Sequence, residues 1–192
     1  MMEDLLRMNC VIGLDLSLSS TGMVGVTDEG EVLHPTSIPT DPQWELPRRI
    51  DCVLINIESV AKKYDIDLWV IEAPSFAPTS IHTAVMLAKL GGCVEHLLWR
   101  EKQATLYVPP SQLKLFTCGK GDSSKNQMGA WVHKRWGFID PSDDVIDAYA
   151  LARLGLAYLG HTQRLEPHQM DVLAKLRGEK PAKKSRKKVA VT

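Results

Sequence analysis

From Val11 the chain alternates, with Ile12, Leu14, Leu16 and Leu18 on one face of an extended segment and Gly13, Asp15 and Ser17 on the other. Period two is the signature of a strand, here half-buried with Asp15 on its polar side. Ser19, Ser20, Thr21 and Gly22 supply turn chemistry, and MVGVT reads as a second strand. The tripeptide DEG before EVLHPTSI predicts a hairpin into a third, so the first third of the chain is an antiparallel meander.

The period then lengthens. Between Trp44 and Tyr64, Leu46, Ile50, Val53, Leu54, Ile57, Val60 and Ala61 recur at helical spacing. This helix feeds a buried strand, LWVIE, at 68–72. After APSFAPTS a second helix runs from Ile81 to Glu101, with Val85, Ala88, Gly92 and Val94 or Glu95 marking its turns. TLYV at 105–108 is a fifth strand, ended by Pro109 and Pro110, and SQLKLFT makes a helical turn before the loop CGKGDSS. Ser123 or Ser124 caps a helix reaching Trp136, with Met128, Trp131 and Val132 as its apolar stripe. Pro141, Ser142 and Asp143 begin a last strong helix through Leu159. Right-handed crossovers lay the fourth and fifth strands parallel to the first. The expected architecture is α/β: a five-stranded mixed sheet, three strands antiparallel and then two parallel, flanked by helices.

Composition sharpens this picture. At 192 residues, 44% hydrophobic and 24% charged, the chain has the make-up of one globular domain with an appendage. No apolar run approaches the roughly 20 residues of a membrane span, so no membrane partner is expected. The opening residues include Glu3 and Asp4 and lack a secretory apolar core, which predicts a cytoplasmic location. Cys10, Cys52, Cys93 and Cys118 are too scattered for zinc pairs or a disulfide framework and read as core thiols.

Net charge is zero, but the signs are segregated. Residues 171–192 carry eight basic and two acidic side chains, a formal +6, against −6 for the first 170 residues. Such asymmetry points to nucleic acid or another acidic surface as partner. The expected organisation is a domain over residues 1–160 followed by a basic tail over 161–192, in which PHQMDVLAKLRG adds a short helix and GEKPAKKSRKKVAVT is disordered.

Four acids carry the candidate chemistry. Asp15 lies near the C-terminal end of the first strand and Glu72 ends the fourth, where α/β sheets place active residues. Asp144 and Asp147, three apart on the last helix, share one side of it. Converging carboxylates repel unless a cation sits among them, and magnesium prefers such oxygen donors. A pair of such ions clamps the attacking and leaving oxygens of a phosphoryl displacement. Lys114 and Lys125 flank Gly119, Lys120 and Gly121, a loop suited to phosphate although it lacks the spacing of a Walker motif.

Together these blocks resemble the RuvC-type Holliday junction resolvases, nucleases of the RNase H-like superfamily. The resemblance covers roughly residues 10–158 and rests on VIGLDLSLSSTGMVGV, LWVIEAPSF, PPSQLKLFTCGKGDSSKNQM and DDVIDAYALA in that order. It implies a homodimer that nicks four-way DNA junctions symmetrically with Mg²⁺ or Mn²⁺, two ions per site. Asp15, Glu72, Asp144 and Asp147 would hold the metals, Lys125 would neutralise the scissile phosphate, and Lys114 and Lys120 would contact DNA. The sequence departs from the family at Ala73, where Gln is usual, and in its aromatic, displaced to Phe76. A DNA-wedging role for Phe76 is therefore an open expectation. Three other readings fit parts of the pattern: a nuclease acting on RNA, RNA–DNA hybrid or other branched DNA; a sugar-kinase-like ATPase; and a non-catalytic junction-binding module. The helix from Ile81 to Glu101, with Gly91 and Gly92 allowing close approach, is the expected dimer interface.

Overall fold

Residue parity along two strands organises the molecule. The computed structural model describes residues 10–74 and 80–179, so Phe76 and the cationic stretch from Lys180 to Lys188 lie outside the described residues. Strands β1 (Cys10–Asp15), β2 (Ser20–Thr27) and β3 (Val32–Pro39) form the antiparallel meander, and α1 (Leu46–Lys63) crosses to β4 (Ile66–Glu72). Then follow α2 (Ile81–Arg100), β5 (Thr105–Val108), α3 (Pro110–Cys118), α4 (Lys125–Trp136), α5 (Asp143–Leu159) and α6 (Pro167–Leu176). The sheet order is β3-β2-β1-β4-β5, with β1 and β4 parallel and β5 parallel to β4. This is the expected mixed sheet.

Each face of the sheet has its own core. Cys10, Ile12, Leu14, Trp69 and Ile71 pack with Ile50, Val53 and Ile57 of α1 and Leu90, Val94 and Leu98 of α2. Val11, Val24, Val26, Leu68 and Val70 pack against Ala148, Leu151 and Ala152 of α5. β1 is therefore buried on both faces, not half-buried as its alternation predicts. The cause is Gly13, where a Cβ would stand 1.9 Å from the Ala148 carbonyl oxygen. Only a glycine lets the α5 backbone lie so close to the sheet. Gly22 plays the same part on β2, since a Cβ there would stand 2.0 Å from the Asp144 carbonyl oxygen.

Helix ends follow the local chemistry. Ser124 forms a capping box with Gln127 at the start of α4, and Ser142 caps α5 by accepting from the Val145 N–H. Gly119, Gly137 and Gly160 close α3, α4 and α5 in the left-handed conformation. Where a helical turn was expected, α3 is a helix of nine residues. On α2 the buried residues are Leu90, Val94, Leu97 and Leu98, while Val85, Ala88 and Gly92 of the expected stripe face outward. After residue 160, α6 docks through Val172 and Leu173, and Gln169 Nε2 donates to the Phe116 carbonyl oxygen at 3.2 Å. Among the described residues no helix is long and apolar enough to cross a membrane.

Candidate metal centre

The same parity aims the acids. On β1 the odd residues Val11, Gly13 and Asp15 face α5, and on β4 the even residues Leu68, Val70 and Glu72 do so. Gly13 pairs with Val70 and Leu14 with Ile71, a register that brings Asp15 level with Glu72 at the C-terminal edge of the sheet. From the other side, the close approach at Gly13 and Gly22 brings down the first turns of α5. Carboxylate oxygens of Asp15, Glu72 and Asp147 then lie within 4.8 Å of one another.

Asp144, the fourth expected acid, is half-buried at the edge of this trio and outside it, although its charge is felt at Asp15. A spacing of three residues puts two side chains on one side of a helix without making them equidistant from a third point. Here α5 points Asp147 at the strand ends.

Crowding three acids in a half-buried place has an electrostatic cost. Burial, then the Glu72 charge and a hydrogen bond with Glu72, push Asp15 up to about 8. Burial and then Asp15 push Asp147 up to about 7. Glu72 also rises, chiefly by burial, while its hydrogen bond with Asp15 holds it down. The direction is clear: without a cation the cluster retains protons, and Asp15 shares one with Glu72. Lys125 opposes all three shifts, and Lys114 opposes those of Glu72 and Asp147. Both expected lysines thus act on the acids from different elements, Lys114 from within α3 and Lys125 from the first turn of α4. Lys125 Nζ also lies 3.9 Å from Asp143 Oδ2, a pairing across α4 and α5 that sequence spacing does not announce. Lys120 is exposed in the loop between α3 and α4, where its carbonyl accepts from Ser123 Oγ at 3.0 Å.

The donor set suits a hard divalent cation. Three carboxylates supply oxygen ligands only, and their raised proton affinity, caused first by burial and then by one another's charge, is what a bound cation would offset. Next to the acids a cleft of about 490 Å³ opens between the sheet edge and α2, lined by Leu16, Pro74, Leu87, Ala88, Gly91 and Tyr107. Sequence periodicity did not reveal this cleft, because it assigned Ala88 to the packed side of α2.

Comparison with known proteins adds an independent line. A family model described as crossover junction endodeoxyribonuclease RuvC matches residues 11–154. A crossover junction endodeoxyribonuclease RuvC of Dictyoglomus turgidum is 27% identical over 147 residues, covering 73% of this chain and 92% of that protein. One of a Synechococcus strain is 27% identical over 151 residues, covering 76% and 96%. Among solved structures, Thermus thermophilus RuvC in complex with Holliday junction substrate superposes with a TM-score of 0.68 at 18% identity, covering 81% of this chain and 99% of that one. That last likeness concerns the fold.

Proposed function

The chain belongs to the RuvC family of crossover junction endodeoxyribonucleases, and from this premise we propose that it resolves four-way DNA junctions by paired, metal-dependent nicks. The observation that carries the reading is the convergence of Asp15, Glu72 and Asp147 within 4.8 Å at two strand ends and one helix. Magnesium or manganese, two ions per site, held by these three with Asp144 at the margin, would polarise the scissile phosphate and activate the attacking water.

The remaining work falls to the chain itself. β1 and β4 fix the Asp15 and Glu72 carboxylates in register, and α5 supplies Asp147 from across the sheet face. Lys125, exposed at the rim and already lowering the proton affinity of all three acids, stands where charge builds up on the phosphate in the transition state. Lys114 and the exposed Lys120 would contact the DNA backbone. Such contacts position the substrate without reading its sequence. A four-way junction has two-fold symmetry and one chain carries one acid set, so a symmetric dimer serves both strands. The outward ridge of α2, where Ile81 is 85% and Trp99 74% exposed, is the surface we assign to it.

The test is a substrate panel: four-way junction, duplex, flap and RNA–DNA hybrid, each with and without Mg²⁺, alongside ATP hydrolysis. Mg²⁺-dependent cleavage of the junction ahead of the others is expected. Preference for the hybrid, or turnover of ATP without cleavage, would contradict the reading.

A further inference from the structure

At the far end of α4 the chain builds a second concavity, opposite in charge to the acid cluster. A pocket of about 440 Å³, within the range of ligand sites, opens where the end of α4, the middle of α5 and the start of α6 meet. Lys134, Arg135, Arg153 and Arg164 line it against a single acid, Glu166, an excess of three positive charges. Arg135 is already satisfied, since its Nη1 donates to Glu166 Oε1 at 2.9 Å and its Nη2 to Oε2 at 3.1 Å. Among the described residues, Lys134, Arg153 and Arg164 have no carboxylate partner.

Aromatic rings hold these cations in place. Lys134 Nζ lies 4.5 Å from the centre of the Trp131 ring and the Arg135 guanidinium 5.0 Å from it. The Arg153 guanidinium lies 5.5 Å from the Trp136 ring, which stacks on Phe116 and meets Tyr149 edge-on. Such contacts orient a cation without neutralising it. They also decide between two kinds of anionic partner. Single-stranded nucleic acid is held by bases stacking on open aromatic faces, and here cations and Phe116 already occupy those faces.

Position and extent point the same way. From Lys125, beside the acids, α4 carries Trp136 about 16 Å along its axis, and on α5 Arg153 lies about 9 Å beyond Asp147. Both helices therefore lead from the acid cluster to the pocket. A cationic island in a body of formal charge −6 suits a short acidic segment better than a polyanion that runs past it. Phe116 and Leu165 add an apolar lining on which one apolar side chain fits between carboxylates.

We propose that this pocket docks an acidic peptide segment of a partner protein, with carboxylates on Lys134, Arg153 and Arg164 and an apolar side chain against Leu165 and Phe116. Docking here leaves the acid cluster open to substrate. The proposal goes beyond the junction-nicking reading and does not depend on it.

The probes are two fluorescein-labelled peptides, DDLDD and its neutral counterpart NNLNN, titrated with the full-length chain and read by anisotropy. DDLDD should bind about tenfold or more tightly than NNLNN, the size of two or three exposed charge pairs. Lys134 and Arg164 are exposed, so reversing both charges leaves the fold intact. Lys134→Glu with Arg164→Glu should weaken DDLDD binding by about tenfold and keep junction nicking within about twofold of the wild type. Lys62→Glu with Lys63→Glu makes the same change of net charge on α1, across the sheet, and should bind DDLDD as the wild type does. Equal affinity for the two peptides would overturn the proposal. So would DDLDD binding that survives the pocket variant, which would place the peptide on the basic C-terminal stretch, or an equal loss in the α1 variant, which would make the attraction one of net charge. Weakened junction binding or nicking in the pocket variant would overturn it too, by making the pocket part of the DNA path.

Discussion

At Asp15, Glu72 and Asp147 the fold gathers like charges that water would otherwise keep apart, and two consequences can be measured. The first concerns chemistry. Asp15→Asn, Glu72→Gln and Asp147→Asn should each lower single-turnover nicking by about a hundredfold or more while junction affinity is retained, since metal ligation is lost and backbone contacts are not. Asp144→Asn, outside the trio, should cost less. Equal rates for wild type and Asp15→Asn at limiting Mg²⁺ would remove these residues from the chemistry. The second consequence concerns stability. In the folded chain Asp15 and Asp147 hold protons up to about 8 and about 7, whereas in the unfolded chain they ionise near the ordinary aspartate value of 3.8. Protons are thus released on unfolding above about pH 4, and without divalent cation stability falls as pH rises from about 4 to about 8. On the proposed reading, Mg²⁺ would take the place of the protons. The Tm gained on adding it should therefore be larger at pH 8 than at pH 5, each kcal/mol of binding raising Tm by about 2–4 °C. A Tm gain independent of pH would contradict the coupling.

Among the elements, α5 has the largest influence, because it covers one face of the sheet and carries two of the acids. Its seat depends on Gly13, where a methyl group would meet a backbone oxygen at 1.9 Å that no rotamer change can relieve. Gly13→Ala should destabilise by about 1–3 kcal/mol and displace Asp147 from Asp15 and Glu72. Thermal melts and nicking assays below the lowered Tm would test this, and full activity at unchanged Tm would refute it. The order of the elements and the alignment of Asp15 with Glu72 were legible in the sequence, because strand alternation, helix spacing and capping residues are local. The second buried face of β1 was not, since it depends on a helix 130 residues away in sequence closing over Gly13. On α2, two stripes compete at the same helical spacing, Val85–Ala88–Gly92 and Leu90–Val94–Leu97. Periodicity alone cannot say which one meets the sheet. For the same reason both α5 acids were expected at the centre, and the cleft along α2 was not foreseen.

Across the whole molecule, charge is divided between an acidic body and a basic C-terminal stretch. We propose that the nuclease unit includes α6, whose Val172 and Leu173 are buried against it, and that residues 180–192 act as a separate cationic arm. Removing 180–192 takes away Lys180, Lys183, Lys184, Arg186, Lys187 and Lys188. If about three of them meet phosphates, the slope of log affinity against log salt should shrink by roughly 2 to 3 units. Metal-dependent nicking should persist. Parallel titration lines of equal affinity would deny the arm any part in binding. The central claim is narrower: one acid set per chain, paired across a dimer, cuts both strands of a junction with a divalent metal. Mapping the nicks on a four-way junction labelled in turn on each strand tests it most directly. The account predicts Mg²⁺-dependent cuts at symmetric positions in two opposing strands, abolished by Asp147→Asn. Cuts confined to one strand, or cuts that persist in EDTA, would contradict it.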